Sequence, residues 1–128
     1  MDLSKIDVPV YLLASREDHI VPWKSAFRSK DLIGGESRFV LAASGHVAGV
    51  INPPARNKRS HWINDDLESD PQTWFEAAEE RPGSWWPDWD SWMKTHSNGT
   101  TPAPDRQGNE TFNPIEPAPG RYVKEKSN

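Results

Sequence analysis

The protein has 128 residues, of which 15 are Lys or Arg and 19 are Asp or Glu, and its net charge of -4 argues against nucleic acid or an anionic membrane surface as the main partner. The absence of cysteine excludes disulfides, cysteine-ligated metals and a cysteine nucleophile within this chain. The sequence contains neither the roughly 18 consecutive apolar residues of a membrane span nor a signal-peptide pattern, so we expect a cytoplasmic protein.

The first half of the chain predicts a strand–helix–strand unit. Residues 8–14 are apolar and rich in β-formers, residues 24–33 fit an amphipathic helix, and residues 37–42 predict a second buried strand. Such a βαβ unit places its strands parallel and buried on both faces. Both strands need neighbours, and only residues 60–64 offer one further short strand. We therefore interpret the chain as the last part of a larger α/β sheet, incomplete as a domain.

The second half of the chain predicts helices and a tail. An acidic helix is expected over residues 65–80, with Asp70 as its N-cap and Pro71 at the first helical position. Another helix is expected to begin after Ser84, with three tryptophans on one stripe at i, i+4 and i+7: Trp85, Trp89 and Trp92. Residues 97–128 are rich in proline and poor in apolar side chains, so we expect an extended tail.

Asp18 and His46 each follow one strand of the predicted unit. In open parallel sheets, sites assemble at the carboxyl ends of the strands. An acid after one strand and a histidine after the next are typical of the second half of a nucleophile–acid–histidine triad in the α/β-hydrolase order. The alternative is that both are ordinary turn residues. Gly45 favours the functional interpretation because it lets the chain turn sharply before His46.

Five segments, in order along nearly the whole chain, resemble the class I poly(3-hydroxyalkanoate) synthases, also called PHB polymerases. They are SREDHIVPW at 15–23, ASGHVAGVINPP at 43–54, NKRSHW at 57–62, GSWWPDW at 83–89 and IEPAPGRYVK at 115–124. The last two motifs are highly specific, and they separate the synthases from general esterases.

The resemblance implies an α/β-hydrolase fold and transfer of (R)-3-hydroxyacyl groups from coenzyme A to a growing polyester. It places the family's catalytic aspartate at Asp18 and its histidine at His46, whereas its catalytic cysteine has no counterpart in this chain. It therefore implies the C-terminal part of a synthase, with residues 1–96 as part of the catalytic domain and 97–128 as the tail. We expect the chain alone to be inactive.

The same resemblance implies the partners. These are an (R)-3-hydroxyacyl-CoA, the growing polyester, the surface of cytoplasmic polyester granules and, through the full-length enzyme, a second copy in a homodimer. The coenzyme A thioester is a substrate, so no separate cofactor or metal is expected. Two alternatives stay open: a fragment of an esterase or depolymerase of the same fold, and a non-catalytic chain that associates with granules or with a partner subunit.

Other residues have two interpretations each. For His19 a local hydrogen bond is favoured over a role beside Asp18, and for Trp23 a core position is favoured over the acyl pocket. For Arg56, Lys58 and Arg59, a solvated cluster or pairing with the acidic stretch Asp65–Asp70 is favoured over contact with coenzyme A phosphates. For the tryptophan stripe, packing is favoured over contact with polymer or granule.

Overall fold

The structure of the protein is a computed structural model that describes residues 2–126. The chain divides after Asn98 into two compact units. The first residue of the predicted domain portion and the last two residues of the predicted tail lie outside the described residues. The predicted boundary between residues 96 and 97 stays a prediction.

The N-terminal unit is built on a four-stranded sheet with the strand order β1-β2-β3-β4. The strands are β1 (Val10–Ser15), β2 (Ser37–Ala42), β3 (Ser60–Ile63) and β4 (Glu79–Pro82). The α-helices are α1 (Trp23–Arg28), α2 (Pro71–Ala77) and α3 (Trp86–Thr95), and short 3-10 helices occupy Leu3–Lys5 and Ser29–Leu32. Within residues 2–126, no helix combines the length and the apolar character that crossing a membrane requires.

The first two strands and α1 form the predicted βαβ unit. β1 and β2 pair in parallel, with Val10 opposite Ser37 and Ser15 opposite Ala42. β2 has its predicted bounds, whereas the predicted helix over residues 24–33 ends as a 3-10 helix. The mixed α/β class is therefore confirmed. The complete α/β-hydrolase fold stays a prediction.

On the other side of β2, the one further strand that the sequence offered at residues 60–64 is present as β3. The chain also supplies β4, which the sequence interpretation did not include. β3 lies antiparallel to β2, and β4 lies antiparallel to β3. The helix expected over residues 65–80 ends at Ala77, and Ala78 is already extended with φ -74 and ψ 140. β4 was missed because its sequence, Glu-Glu-Arg-Pro, is exposed throughout and has no apolar alternation, as befits a charged edge strand.

Helices α1 and α2 cover one face of the sheet with an aromatic core. Phe27, Phe39 and Trp74 are at most 1% exposed, and their ring centroids lie 4.9 to 5.5 Å apart. The indole Nε1 of Trp74 donates to the carbonyl of Asn64 at 3.0 Å, which satisfies its one polar group. Asp70 caps α2 as predicted, accepting from the amides of the next turn.

Helix α3 covers the opposite face. Trp85, just before the helix, is buried with Val40, Ala42 and Ile63 of the sheet. The carboxylate of Asp88, in the first turn of α3, accepts hydrogen bonds from Arg38 and Tyr11. The sheet is thus covered on both faces, as the apolar character of β1 and β2 required.

The C-terminal unit, described to residue 126, contains one 3-10 helix, Tyr122–Lys124. All of its described residues except Gly120 are exposed. Local hydrogen bonds form its turns; the Asn109 side chain, for example, accepts from the amides of Thr111 and Phe112.

Candidate active site

Backbone pairing continues beyond the ends of β1 and β2 and brings their two loops together. The amide of Arg16 donates to the carbonyl of Ala42 at 2.8 Å, and that of Glu17 donates to the carbonyl of Ser44 at 3.0 Å. Because the two strands are parallel, both loops leave the same edge of the sheet. This edge carries Asp18 and His46.

Asp18 is held as a carboxylate by its own loop. Its Oδ1 accepts from the amides of Ile20 at 2.8 Å and Val21 at 3.0 Å, a turn that aspartate commonly forms. The side chain is 8% exposed. The Val21 amide, followed by the hydrogen bond with His46, lowers the pKa of Asp18 from 3.8 to about 2. The group is therefore ionised at neutral pH.

His46 is delivered to Asp18 by a sharp turn. Ser44 has a φ of 77°, a left-handed conformation that is uncommon for residues other than glycine and is often found at functional sites. The Nδ1 atom of His46 lies 2.8 Å from Oδ2 of Asp18. An ionised carboxylate only accepts, so Nδ1 carries the proton and neutral His46 keeps the lone pair on Nε2. The imidazole is about half exposed.

An open cleft of about 430 Å³ lies beside this pair. Apart from Asp18, His46 and Ser15, its lining is apolar: Leu13, Ala14, Val21, Ala26, Val47, Val50 and Ile51. The arrangement therefore places a half-exposed imidazole beside a wall suited to an apolar chain.

The structure also reveals a buried hydroxyl beside the pair. Ser15 is 2% exposed, and its Oγ has no hydrogen-bond partner among the described residues. A Cβ added at Gly49 would collide with this Oγ, so glycine is required there by close approach. Sequence reasoning missed both residues, because only the fold brings the turn after His46 onto the end of β1.

The structure thus brings the predicted acid and histidine together, while their catalytic role stays a prediction. Trp23 packs against Phe75 with ring centroids 5.8 Å apart, so its favoured core position is confirmed. His19 is exposed and makes no hydrogen bond with another described residue, so its expected local hydrogen bond is not observed.

The remaining sequence candidates are the basic cluster and the tryptophan stripe. Arg59 donates to the carbonyl of Ala48 at 2.8 Å, and Asp65 contacts Arg38 at 3.1 Å rather than the basic cluster. Trp85 and Trp92 pack against Tyr11, as favoured, whereas Trp89 is 38% exposed.

Comparison with known proteins identifies relatives of this chain. No protein-family model matches the chain. The poly(3-hydroxyalkanoate) polymerase subunit PhaC of Cupriavidus necator is 57% identical over 127 residues, which are 99% of this chain and 22% of the relative. The protein of the same name from Rhizobium etli is 44% identical over 99% of the chain and 20% of the relative. Poly(3-hydroxyalkanoate) polymerase 2 of Ectopseudomonas oleovorans is 42% identical over 96% of the chain and 22% of the relative.

The α/β fold and the acid–histidine pair on one sheet edge define the general class, that of α/β proteins with a hydrogen-bonded Asp–His pair at the carboxyl ends of parallel strands. The relatives narrow this class to one group of homologues. The chain is homologous to the poly(3-hydroxyalkanoate) polymerases over nearly its whole length, which confirms the resemblance recognised from the sequence motifs. It spans about a fifth of the length of these relatives.

Proposed function

We propose that this chain supplies the acid and the histidine of a Cys–His–Asp triad in a polymerase that transfers (R)-3-hydroxyacyl groups from coenzyme A to a polyester. The observation that carries the proposal is the 2.8 Å contact between His46 Nδ1 and Asp18 Oδ2, which leaves Nε2 as the base. The names of the relatives support a polymerase rather than another α/β enzyme.

In the acylation step, Nε2 of His46 takes the proton of a cysteine thiol. This chain has no cysteine, so the nucleophile comes from sequence outside it. The thiolate attacks the thioester carbonyl, the acyl group moves to the cysteine sulfur, and the imidazolium returns its proton to the departing coenzyme A thiolate. Asp18 holds the imidazole in the required tautomer and stabilises its protonated form. The chain alone is therefore inactive.

In chain extension, a 3-hydroxyl group must lose its proton before it attacks the next acyl group. The geometry supports His46, and not Asp18, as the base. Both carboxylate oxygens of Asp18 are already engaged, Oδ1 by two amides and Oδ2 by His46, and the side chain is nearly buried. Asp18 therefore orients His46 in both steps.

The surroundings of the pair suit the proposed substrate. The apolar cleft offers a wall for the acyl chain or the adjoining polyester. As the family resemblance implies, the enzyme works at the surface of polyester granules in the cytoplasm and as a homodimer of the full-length protein. The triad belongs to a complete α/β-hydrolase domain.

The test is a chimaeric polymerase in which this chain replaces the matching segment of the Cupriavidus necator polymerase. With (R)-3-hydroxybutyryl-CoA, we expect release of coenzyme A together with polyester, whereas the isolated chain should release no coenzyme A above background. Release of free 3-hydroxybutyrate without polymer would instead assign the chain to a hydrolase. A folded chimaera without any turnover would favour a non-catalytic, granule-associating chain.

A further inference from the structure

The chain around His46 forms a short, helix-like turn, here called the His46 turn (residues 45–51). The amide of Gly49 donates to the carbonyl of Gly45 at 2.8 Å, and the amide of Ile51 donates to the carbonyl of Val47 at 2.9 Å. Three of its side chains line the apolar cleft: Val47, Val50 and Ile51. So short a helical segment is not stable by itself, so its position depends on contacts with the rest of the chain.

Two consecutive tryptophans hold the His46 turn by its carbonyl groups. The indole Nε1 of Trp85 donates to the carbonyl of Gly49 at 3.1 Å, and that of Trp86 donates to the carbonyl of Val50 at 3.0 Å. Each of these contacts joins residues that are 36 positions apart. An indole nitrogen is a donor only, so each tryptophan satisfies a carbonyl that a phenylalanine of similar shape could not.

Ser84 adds a third donor directly before the two tryptophans. Its hydroxyl donates to the carbonyl of buried Asn52 and accepts from the amide of Trp86. The amide of Ser84 in turn donates to Oδ1 of Asn57 at 3.2 Å. Ser84 is itself buried, so these hydrogen bonds satisfy its polar groups inside the protein. The serine therefore fixes the backbone that carries the indoles.

The helix that follows these donors is fastened to the sheet. The carboxylate of Asp88, in the first turn of α3, accepts from Arg38 at 2.6 Å and from Tyr11 at 2.8 Å. Arg38 lies on β2 and Tyr11 on β1, the two strands whose loops carry the acid and the histidine. A supporting group can hold a site precisely only when it is itself held by a rigid element. The two indoles have such an anchor.

We propose that Trp85 and Trp86 are positioning residues for His46, whose indole N–H groups fix the His46 turn so that the imidazole stays against Asp18. The proposal rests on the proposed function, because that reaction requires His46 as the base. The two indoles act through the backbone of the turn and not on the reacting atoms. One hydrogen bond of this kind changes the population of the correctly held turn by a factor of about 3 to 10.

The experiment compares two substitutions of half-buried Trp86 in the chimaeric polymerase. Trp86→His can place its Nε2–H where the indole Nε1–H stands, whereas Trp86→Phe has the larger ring but no donor. For (R)-3-hydroxybutyryl-CoA, we expect kcat to fall about 3- to 10-fold in Trp86→Phe and less than about twofold in Trp86→His. KM should change less than kcat, because His46 acts in the chemical steps.

A second measurement, hydrogen exchange of the peptide that covers residues 45–52, needs no turnover. The amides of Gly49 and Ile51 close the His46 turn, so their exchange should accelerate about 3- to 10-fold in Trp86→Phe and not in Trp86→His. The matched controls are Trp92→Phe and Trp92→His on the same helix, where the indole packs against Tyr11. There, packing alone should make phenylalanine the better substitute, and exchange of the His46 turn should not change.

The order of the two Trp86 variants decides the proposal. A Trp86→His variant that loses as much kcat as Trp86→Phe, or more, would show that Trp86 acts by packing and would overturn it. Unchanged exchange in Trp86→Phe would overturn it as well, and so would faster exchange with an unchanged kcat. A parent chimaera without turnover would count against the proposed function instead, and the exchange rates would then decide whether the indoles hold the turn.

Discussion

Two nearly buried carboxylates of the N-terminal unit, Asp18 and Asp88, are bound alike but face different partners. Their side chains are 8% and 11% exposed, and their shortest contacts to a basic group are 2.8 Å to His46 and 2.6 Å to Arg38. The difference lies in the base. An imidazole exchanges its proton near neutral pH, whereas a guanidinium does not. One carboxylate therefore holds a group that can exchange a proton, whereas the other fixes α3 to the sheet.

The surroundings reinforce this contrast. Asp88 accepts from both Nε and Nη2 of Arg38 and from the hydroxyl of Tyr11. These three residues, Tyr11, Arg38 and Asp88, form a clamp that joins α3 to the sheet. Burial opposes ionisation of Asp88, but hydrogen bonds from Arg38 and Tyr11 outweigh it and lower its pKa. His46 keeps its second nitrogen available beside a cleft. The second imidazole nitrogen thus distinguishes the proposed catalytic pair from the structural one.

The largest effect is expected for His46→Ala in the chimaeric polymerase. Without the base, the cysteine is not activated, and the rate of coenzyme A release should fall about 10⁴-fold or more. The fold should persist, because His46 is half exposed, and circular dichroism checks this. His96→Ala is the control, an exposed histidine at the end of α3. Comparable losses in both variants would refute the assignment of His46.

Asp18→Asn should have the next largest effect. The amide keeps the shape of the carboxylate but loses the charge that supports the imidazolium, so the rate should fall on the order of 10²- to 10⁴-fold. The measurement is again the initial rate of coenzyme A release. A loss below tenfold in folded enzyme would mean that Asp18 does not orient the base.

The pH dependence of stability tests whether Asp18 is held as a carboxylate in the folded protein. Since folding lowers the pKa of Asp18 from 3.8 to about 2, its carboxylate stabilises the fold fully above the unfolded value. That contribution is lost as the pH falls from about 4 towards about 2. The difference in urea midpoint between the parent chimaera and Asp18→Asn should therefore be constant near neutral pH and should shrink in this acidic range.

Much of this arrangement could be predicted from the sequence because it is local or periodic. The apolar segments at 8–14 and 37–42 are continuous enough to mark buried strands, and parallel strands place the residues that follow them on one edge. The approach of Asp18 to His46 follows from that topology. The N-cap Asp70 and the first-turn Pro71 of α2 could also be predicted from the sequence, because they act on adjacent backbone groups.

The remaining features depend on contacts between distant segments. β4 is specified by its pairing with β3 and not by an apolar pattern of its own. The clamp joins Tyr11, Arg38 and Asp88, which are up to 77 positions apart, and no spacing rule connects them. The same holds for the approach of Gly49 to Ser15.

Asp88→Asn tests the structural carboxylate, the one that is compared with Asp18. It removes the negative charge that accepts from Arg38 and Tyr11, so we expect the free energy of unfolding to fall by about 1–3 kcal/mol. The rate of coenzyme A release per folded molecule should change less than about threefold. Asp90→Asn, on the same helix, is the control: its pair with Lys94 is exposed and should contribute less than about 0.5 kcal/mol. Urea denaturation and rate measurements would distinguish a clamp from a catalytic group.

Tyr11→Phe should have the smallest effect, since it removes one hydrogen bond and keeps the ring against Trp85 and Trp92. Near neutral pH it should lower the free energy of unfolding by about 0.5–1.5 kcal/mol. Burial, and then the charge of Asp88, raise the pKa of Tyr11 above 10.0. The stabilisation is therefore complete below the unfolded pKa of about 10 and declines at higher pH, because the unfolded phenol ionises first. The difference between parent and variant should shrink in that alkaline range, and a difference that stays constant there would contradict the buried hydrogen bond.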